Sequence, residues 1–389
     1  VKWRTTRFMT LTPLRLVNAT VLRPGGLDTD PISLCGGRIA TDGGREVDLS
    51  GYLILPGIVD IHGDAFERHL APRRGAVTDP RAGLPALEAE LSANGITTAW
   101  LAQFWSWEGG MRSPDFAASL CAALERYQAI LDIRVQLRLE LGCHDAFEAA
   151  SDLIARYGIG YVVLNDHLPH EALAAGKRPP RLEGQALKSR RSPADHLALM
   201  QRLHAEMPVA RTRLAALAAD LKDRDVILGS HDDHDAETRA WYRGLGVDIS
   251  EFPTSEAAAV AAQAAGDPVV MGAPNALRGG SHARGVSAAA LIGMGAVSAL
   301  ASDYHYPALA QSAFRLAETG LPLAEAWALI SINPARMMGL NDRGDLAAGQ
   351  RADLVIVETA TMRIAGTIAN GQIAHLAGPL AHRLIGGDA

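Results

Sequence analysis

A chain of 389 residues, 48% of them hydrophobic and only 5% aromatic, can bury one large core and a smaller one, which excludes a disordered, fibrous or disulfide-stapled protein. A formal net charge of −6 supplies no basic field for nucleic acid, although local clusters of cations can still hold a small anion. No apolar run reaches the length of a membrane span, so no membrane partner is expected.

The opening VKWRTTRFMT has no hydrophobic segment suited to export, and Met9 reads as the natural start. The first part then offers short strand-like runs, LRLVNATVLRP and ISLCGGRIATDGGREVDLSGYLILPG, broken by Gly, Asn and Asp. The far end, GDLAAGQRADLVIVE and MRIAGTIANGQIAHLAG, has the same texture, so the two ends are expected to form one small β-domain. Cys35, Cys121 and Cys143 are odd in number and widely spaced; they read as buried thiols of a reducing compartment, best the cytoplasm.

Between the ends, short apolar strands alternate with Ala/Leu/Arg-rich helices, the α/β pattern of a parallel sheet. The segment is long enough for eight units, and no Gly-rich nucleotide fingerprint follows an early strand. A closed barrel is therefore the first expectation and an open doubly wound sheet the second. Polar residues gather at the strand ends: GIVDIHGD, GITTAWLAQF, RVQLRLELGCHD, GYVVLNDHLPH, DVILGSHDDHD, VDISEFPTS and GAVSALASDYHYP. Parity in RVQLRLEL puts Val135, Leu137, Leu139 and Leu141 on one face and Gln136, Arg138 and Glu140 on the other, as a barrel strand with a polar interior requires.

His62, Asp64, Glu140, His167, His231 and Asp303 thus stand at or just beyond five strand ends. Any one of them alone reads as a cap or a hydrogen-bonded loop residue; together they read as a site. Nitrogen and oxygen donors without thiolate suit Zn²⁺, Mn²⁺ or another borderline to hard divalent ion. The acids have no lysine among them, so two ions are expected, bridged by Glu140.

LPGIVDIHGD, NPAR and GDLAAGQRADLVIVE resemble the amidohydrolase superfamily over essentially the whole chain. That resemblance implies a distorted (β/α)8 TIM-like barrel over residues 56–344 with a small β-sandwich from residues 1–55 and 345–389. Within the superfamily, His-x-Asp at His62 and Asp64, with DHLP, GSHDDHDAET, SEFPTSEAA, MGAPNALRGGSHARG and LASDYHYPAL, is similar to the PhnM family of phosphonate catabolism. The resemblance implies metal ligation by His62, Asp64, Glu140, His167, His231 and Asp303. It also implies hydrolysis of a phosphorylated ribose, α-D-ribose 1-methylphosphonate 5-triphosphate, to the 5-phosphate and pyrophosphate. A homodimer is expected.

Asp303 is expected to orient or deprotonate water and return the proton to the leaving oxygen. A triphosphate demands cations, and Arg278, His282 and Arg284, beside Gly279 and Gly280, are the expected substrate-binding residues. Lys188, Arg190 and Arg191 read as a solvated charge run, and His196, His204, His375 and His382 as surface histidines. Trp105 and Trp107 read equally as a packed lid or as a stacking platform. A deaminase or amide hydrolase on the same fold is the runner-up, and a non-catalytic descendant the third reading.

Overall fold

The computed structural model describes residues 11–72, 79–278 and 286–385. Eight parallel strands follow one another in sequence order: β1 (Ile58–Gly63), β2 (Ile96–Trp105), β3 (Asp132–Glu140), β4 (Tyr161–Asn165), β5 (Ile227–His231), β6 (Ile249–Glu251), β7 (Val269–Gly272) and β8 (Ala299–Ala301). The alternation of short apolar runs with helices produces this order because each crossover returns the chain beside the strand it left. The ring closes through few bonds. Asp303 N donates to His62 O and Asp64 N to Asp303 O, both at 2.9 Å, and Gly63 forms an isolated bridge with Asp303. Side chains reinforce that seam. The buried Asp60 carboxylate accepts from Ser302 N at 3.0 Å and from Ser302 Oγ at 2.6 Å.

Two apolar clusters follow from the period-2 alternation of the strands. Val162 and Leu164 of β4 face the helices, with Leu137 and Leu139 of β3, in the large outer cluster. Tyr161 and Val163 turn the other way and join Val59, Ile61, Trp100, Ile249, Val270 and Ala301 in a smaller cluster inside the ring. The helix Phe147–Tyr157 shows how the outer layer is built. Phe147, Ala150, Leu153, Ile154 and Tyr157 recur at helical spacing and are buried, and Gly158 ends the helix in the left-handed region at φ 62°. Leu137 is fully buried, and its truncation to alanine would cost about 2–5 kcal/mol.

The two chain ends meet as expected from their texture. A six-stranded sheet runs in the order 372–376, 363–369, 354–358, 52–56, 20–23, 26–28, and a four-stranded sheet in the order 38–40, 32–35, 14–17, 45–48. Leu16, Val21, Ile32, Leu34, Ile54, Leu354, Ile356 and Ile368 form the core they share. Asp132, at the start of β3, ties this part to the barrel: it lies 2.7 Å from Arg343 Nη1 and 3.8 Å from Arg351 Nη1. Cys121 and Cys143 are buried thiols. Cys35 is exposed, because it ends its strand just before the Gly36-Gly37 turn. Among the described residues no helix is long and apolar enough to cross a membrane.

Candidate metal centre

The floor of the site is made by backbone that leaves the strands in an unusual conformation. Asp232 (φ 62°), Phe252 (φ 52°) and Asp303 (φ 56°), which follow β5, β6 and β8, all lie in the left-handed region that non-glycine residues rarely adopt. Each is pinned by its amide to a neighbouring strand: Asp232 N to Glu251 O at 3.0 Å, Phe252 N to Val270 O at 2.8 Å, and Asp303 N to His62 O at 2.9 Å. Gly63 meets a different constraint. A Cβ there would lie 2.7 Å from Tyr306 Cε1 and 2.8 Å from both Asp60 Oδ2 and Ser302 Oγ, so only glycine fits between His62 and Asp64.

Two histidines are oriented by buried carboxylates. His62 Nδ1 lies 2.6 Å from Glu251 Oε2, while Glu251 Oε1 accepts from Tyr161 Oη at 2.5 Å and Gln136 Nε2 at 2.8 Å. His167 Nδ1 pairs with Glu140 Oε1, and its backbone N–H donates to Glu140 Oε2 at 3.1 Å. Such a partner fixes which ring nitrogen keeps its lone pair. His62 Nε2 accordingly is buried with no hydrogen-bond partner, a costly state unless an electron-pair acceptor meets it.

Around these rings three donor groups form whose atoms lie within 4.8 Å of one another: His62 with His231 and Glu251; His167 with His231 and Asp232; and Glu108 with Glu140 and His167. His231 Nδ1 lies 3.1 Å from Asp232 Oδ2. An orphaned imidazole nitrogen such as His62 Nε2, beside carboxylates, is the donor chemistry of a divalent cation, so the residues fit a metal. Asp64 and Asp303 line the same cavity without belonging to these three groups.

The charges are tuned accordingly. Burial, helped by Arg138, pushes His231 down to about 4 and keeps it a neutral donor. Burial opposes a charge on His167 as well, but Glu140 and Asp232 outweigh it and carry the ring up to about 10. Burial, with Asp64 and Asp232 nearby, raises the Asp303 carboxyl to about 6.

The acids have a cation among them after all. Arg138 projects inward from β3 and is buried, with Nη2 3.0 Å from His231 Nε2, Nη1 3.8 Å from Asp64 Oδ2, and its guanidinium 4.0 Å from the centre of the Phe104 ring. Arg112 covers Phe104 too, at 4.1 Å, and donates to both oxygens of Glu108 at 3.0 and 2.9 Å. The cavity above, of about 700 Å³, is lined by Asp64, His167, His231 and Asp303 at one end and by Arg181, Lys188 and Arg278 elsewhere.

Of the six residues expected as ligands, Asp64, His167, His231 and Asp303 face the cavity, and His62 and Glu140 are fully buried against Glu251 and His167. Arg278 lines the cavity; His282 and Arg284 lie outside the described residues. Lys188 is no bystander on a solvated run, since it lines the cavity, and Arg191 Nη1 donates to Trp107 O at 2.7 Å. His196 is a core histidine, not a surface one, packed 5.6 Å from the Trp107 ring and lowered in pKa by burial. Trp105 and Trp107 belong to the outer core, leaving Phe104 and Glu108 to reach the cavity. Glu251 and Asp232 were not among the expected site residues. An acid closing a three-residue buried strand, and an acid directly after His231, were the available signals.

A family model described as the amidohydrolase family matches residues 86–375. The chain belongs to the amidohydrolase family. It is similar to the alpha-D-ribose 1-methylphosphonate 5-triphosphate diphosphatase of Escherichia coli K12, with 32% identity over 323 residues that cover 80% of this chain and 84% of the relative. Solved amidohydrolase-type structures share the fold. A beta-aspartyl dipeptidase from Fervidobacterium islandicum AW-1 superposes with a TM-score of 0.61 at 14% identity, covering 95% of this chain and 98% of that one. A triazine hydrolase from Arthobacter aurescens gives 0.62 at 15%, covering 96% and 98%. At such identities the likeness concerns the fold alone. The chain is a hydrolase of this family, with donor groups suited to metal.

Proposed function

We propose that this amidohydrolase hydrolyses a ribose 5-triphosphate ester, α-D-ribose 1-methylphosphonate 5-triphosphate, to the 5-phosphate and pyrophosphate in phosphonate catabolism. The supporting observation is one cavity with imidazole and carboxylate donors at its floor and arginine and lysine elsewhere on its wall, in a chain 32% identical to the diphosphatase of that substrate. We assign two divalent ions, zinc or manganese, to His62, Asp64, Glu140, His167, His231 and Asp303. Bound there, a divalent ion supplies Lewis acidity to a phosphoryl oxygen and lowers the pKa of water.

The chain's own groups do the rest. Asp303, with a carboxyl raised to about 6, is matched to neutral pH as a base. As water adds to the α phosphorus and the α–β P–O bond breaks, Asp303 Oδ takes the water proton and passes it to the departing pyrophosphate oxygen. Glu251 and Glu140 hold the His62 and His167 rings in place. Arg278, with His282 and Arg284, is assigned to substrate phosphate. The unpaired thiols agree with a cytoplasmic setting.

The decisive experiment is product analysis in ¹⁸O-labelled water with the triphosphate ester. Pyrophosphate and a labelled 5-monophosphate are expected. Orthophosphate as first product would move the cleavage to the terminal linkage. Release of ammonia or a carboxylate from amine or amide substrates, with the ester untouched, would replace this reading by deaminase or amidase chemistry.

A further inference from the structure

The helix Leu182–Lys188 presents Gln185 and Lys188 to the cavity, and Arg181, just before its first turn, lines it too. These positions are spaced i, i+4, i+7, which puts them in one stripe, while Leu182 and Ala186 are buried. Asn275 and Arg278, three apart on the helix Ala273–Arg278, line the cavity as well. Among the described residues, Arg181, Lys188 and Arg278 have no carboxylate partner within ion-pair distance, whereas Arg112 is taken up by Glu108. Glu67, itself 3.9 Å from Arg112, is within electrostatic reach of Lys188.

The end of that helix is fastened to the wall. Arg191 Nη1 bonds Trp107 O, and the turn at Gly109 and Gly110 passes so close that a Cβ on Gly110 would lie 2.9 Å from Lys188 O. Gly110 also has φ 60°, so both its backbone and its contact require glycine. Lys188 is therefore held at the cavity by its backbone, although its own ammonium is exposed and unpaired. Arg138 and Arg112 sit with the imidazoles and carboxylates, whereas Arg181, Lys188 and Arg278 line the cavity without a carboxylate partner among the described residues.

We infer that Arg181, Gln185 and Lys188 form, together with Arg278, the subsite for the polyphosphate end of the substrate, which becomes the leaving pyrophosphate. This rests on the reading above. A multiply charged anion can engage several fixed cations at once, and each charge-assisted bond strengthens as the leaving group gains charge. The 5-phosphate product carries a single phosphoryl group at that end and cannot span them as a diphosphate does.

The test is product inhibition at fixed free Mn²⁺, with Arg181→Gln, Lys188→Gln and the double variant, and Arg315→Gln as a remote control. The inhibition constant for pyrophosphate is expected to rise roughly tenfold in each single variant and more in the double, with inhibition by the 5-phosphate product much less affected. An unchanged pyrophosphate constant in the double variant, with wild-type protein still cleaving the triphosphate ester, overturns the subsite and leaves the function standing. If wild-type protein does not cleave the ester, the function falls, and calorimetric titration with pyrophosphate decides the subsite independently. Binding lost in the double variant upholds it, and no binding to wild-type protein overturns it.

Discussion

Replacing Glu251 with glutamine should weaken metal binding without unfolding the protein. The carboxylate is fully buried and accepts from three donors, His62 Nδ1, Tyr161 Oη and Gln136 Nε2, so its charge is distributed over a complete set of bonds. Glutamine has the same shape and the wrong complement of donors. With its oxygen toward His62, its NH₂ meets the NH₂ of Gln136; turning Gln136 over would relieve this only by giving up the 3.1 Å bond to Ile61 O. With its NH₂ toward His62, the ring must accept at Nδ1 and carry its proton on Nε2, the nitrogen now free to face a cation. Either arrangement leaves one mismatched buried group, costing about 1–3 kcal/mol of stability. The second removes the His62 lone pair, and loss of such a supporting carboxylate typically lowers metal affinity about 10–100-fold, or roughly 1.4–2.7 kcal/mol. Calorimetric titration of metal-free protein with Zn²⁺ and Mn²⁺ measures the affinity, and thermal unfolding with and without metal measures its coupling to the fold. Wild-type affinity in a folded Glu251→Gln protein would refute the second arrangement, and wild-type affinity in a folded His62→Ala protein would refute the assignment of His62 Nε2 as a metal donor.

Asp303→Asn should lower turnover by about two to four orders of magnitude with a much smaller effect on substrate affinity, because the carboxylate acts mainly in the transition state; steady-state kinetics with near-normal kcat would remove it from the mechanism. Metal affinity should rise with pH below about 10, since His167 is held protonated by Glu140 and Asp232 and must release its proton to bind; titrations at pH 6, 7 and 8 that give one constant affinity would contradict this. Asp132→Asn should cost about 1–3 kcal/mol at pH 7 by weakening the charge-assisted bonds from Arg134 and Arg343, while Arg343 keeps Asp342 and Arg351 keeps Asp353. Burial would raise the Asp132 carboxyl, but Arg134, Arg343 and Arg351 hold it well below its usual range. Its contribution is therefore complete above the unfolded value of about 4 and is lost as pH falls through the folded one, so denaturant midpoints of wild type and variant should converge in acid.

Alternation and punctuation in the sequence put a closed barrel ahead of an open doubly wound sheet, because a strand buried on both faces has to write its parity in residue type. Gln136, Arg138 and Glu140 face inward in the structure, as their spacing requires, and strands from the two ends, Tyr52–Pro56 and Leu354–Glu358, pair with each other. The cluster of acids and imidazoles at strand ends was legible for the same reason: parallel strands deliver their carboxyl ends to one face, so residues far apart in sequence share a place. What each of those side chains touches was not. His62 finds Glu251 at a separation of 189 residues, and only the ring's closure brings β1 opposite β6. Lys188, in a run of charges with no pattern of its own, reaches the cavity because a neighbouring turn holds its backbone, and His196 is buried because Trp107 packs on it. Residue type and spacing determine which face a side chain takes; its partner, and with it its charge and its chemistry, depends on distances that exist only after the strands have closed and the loops have docked.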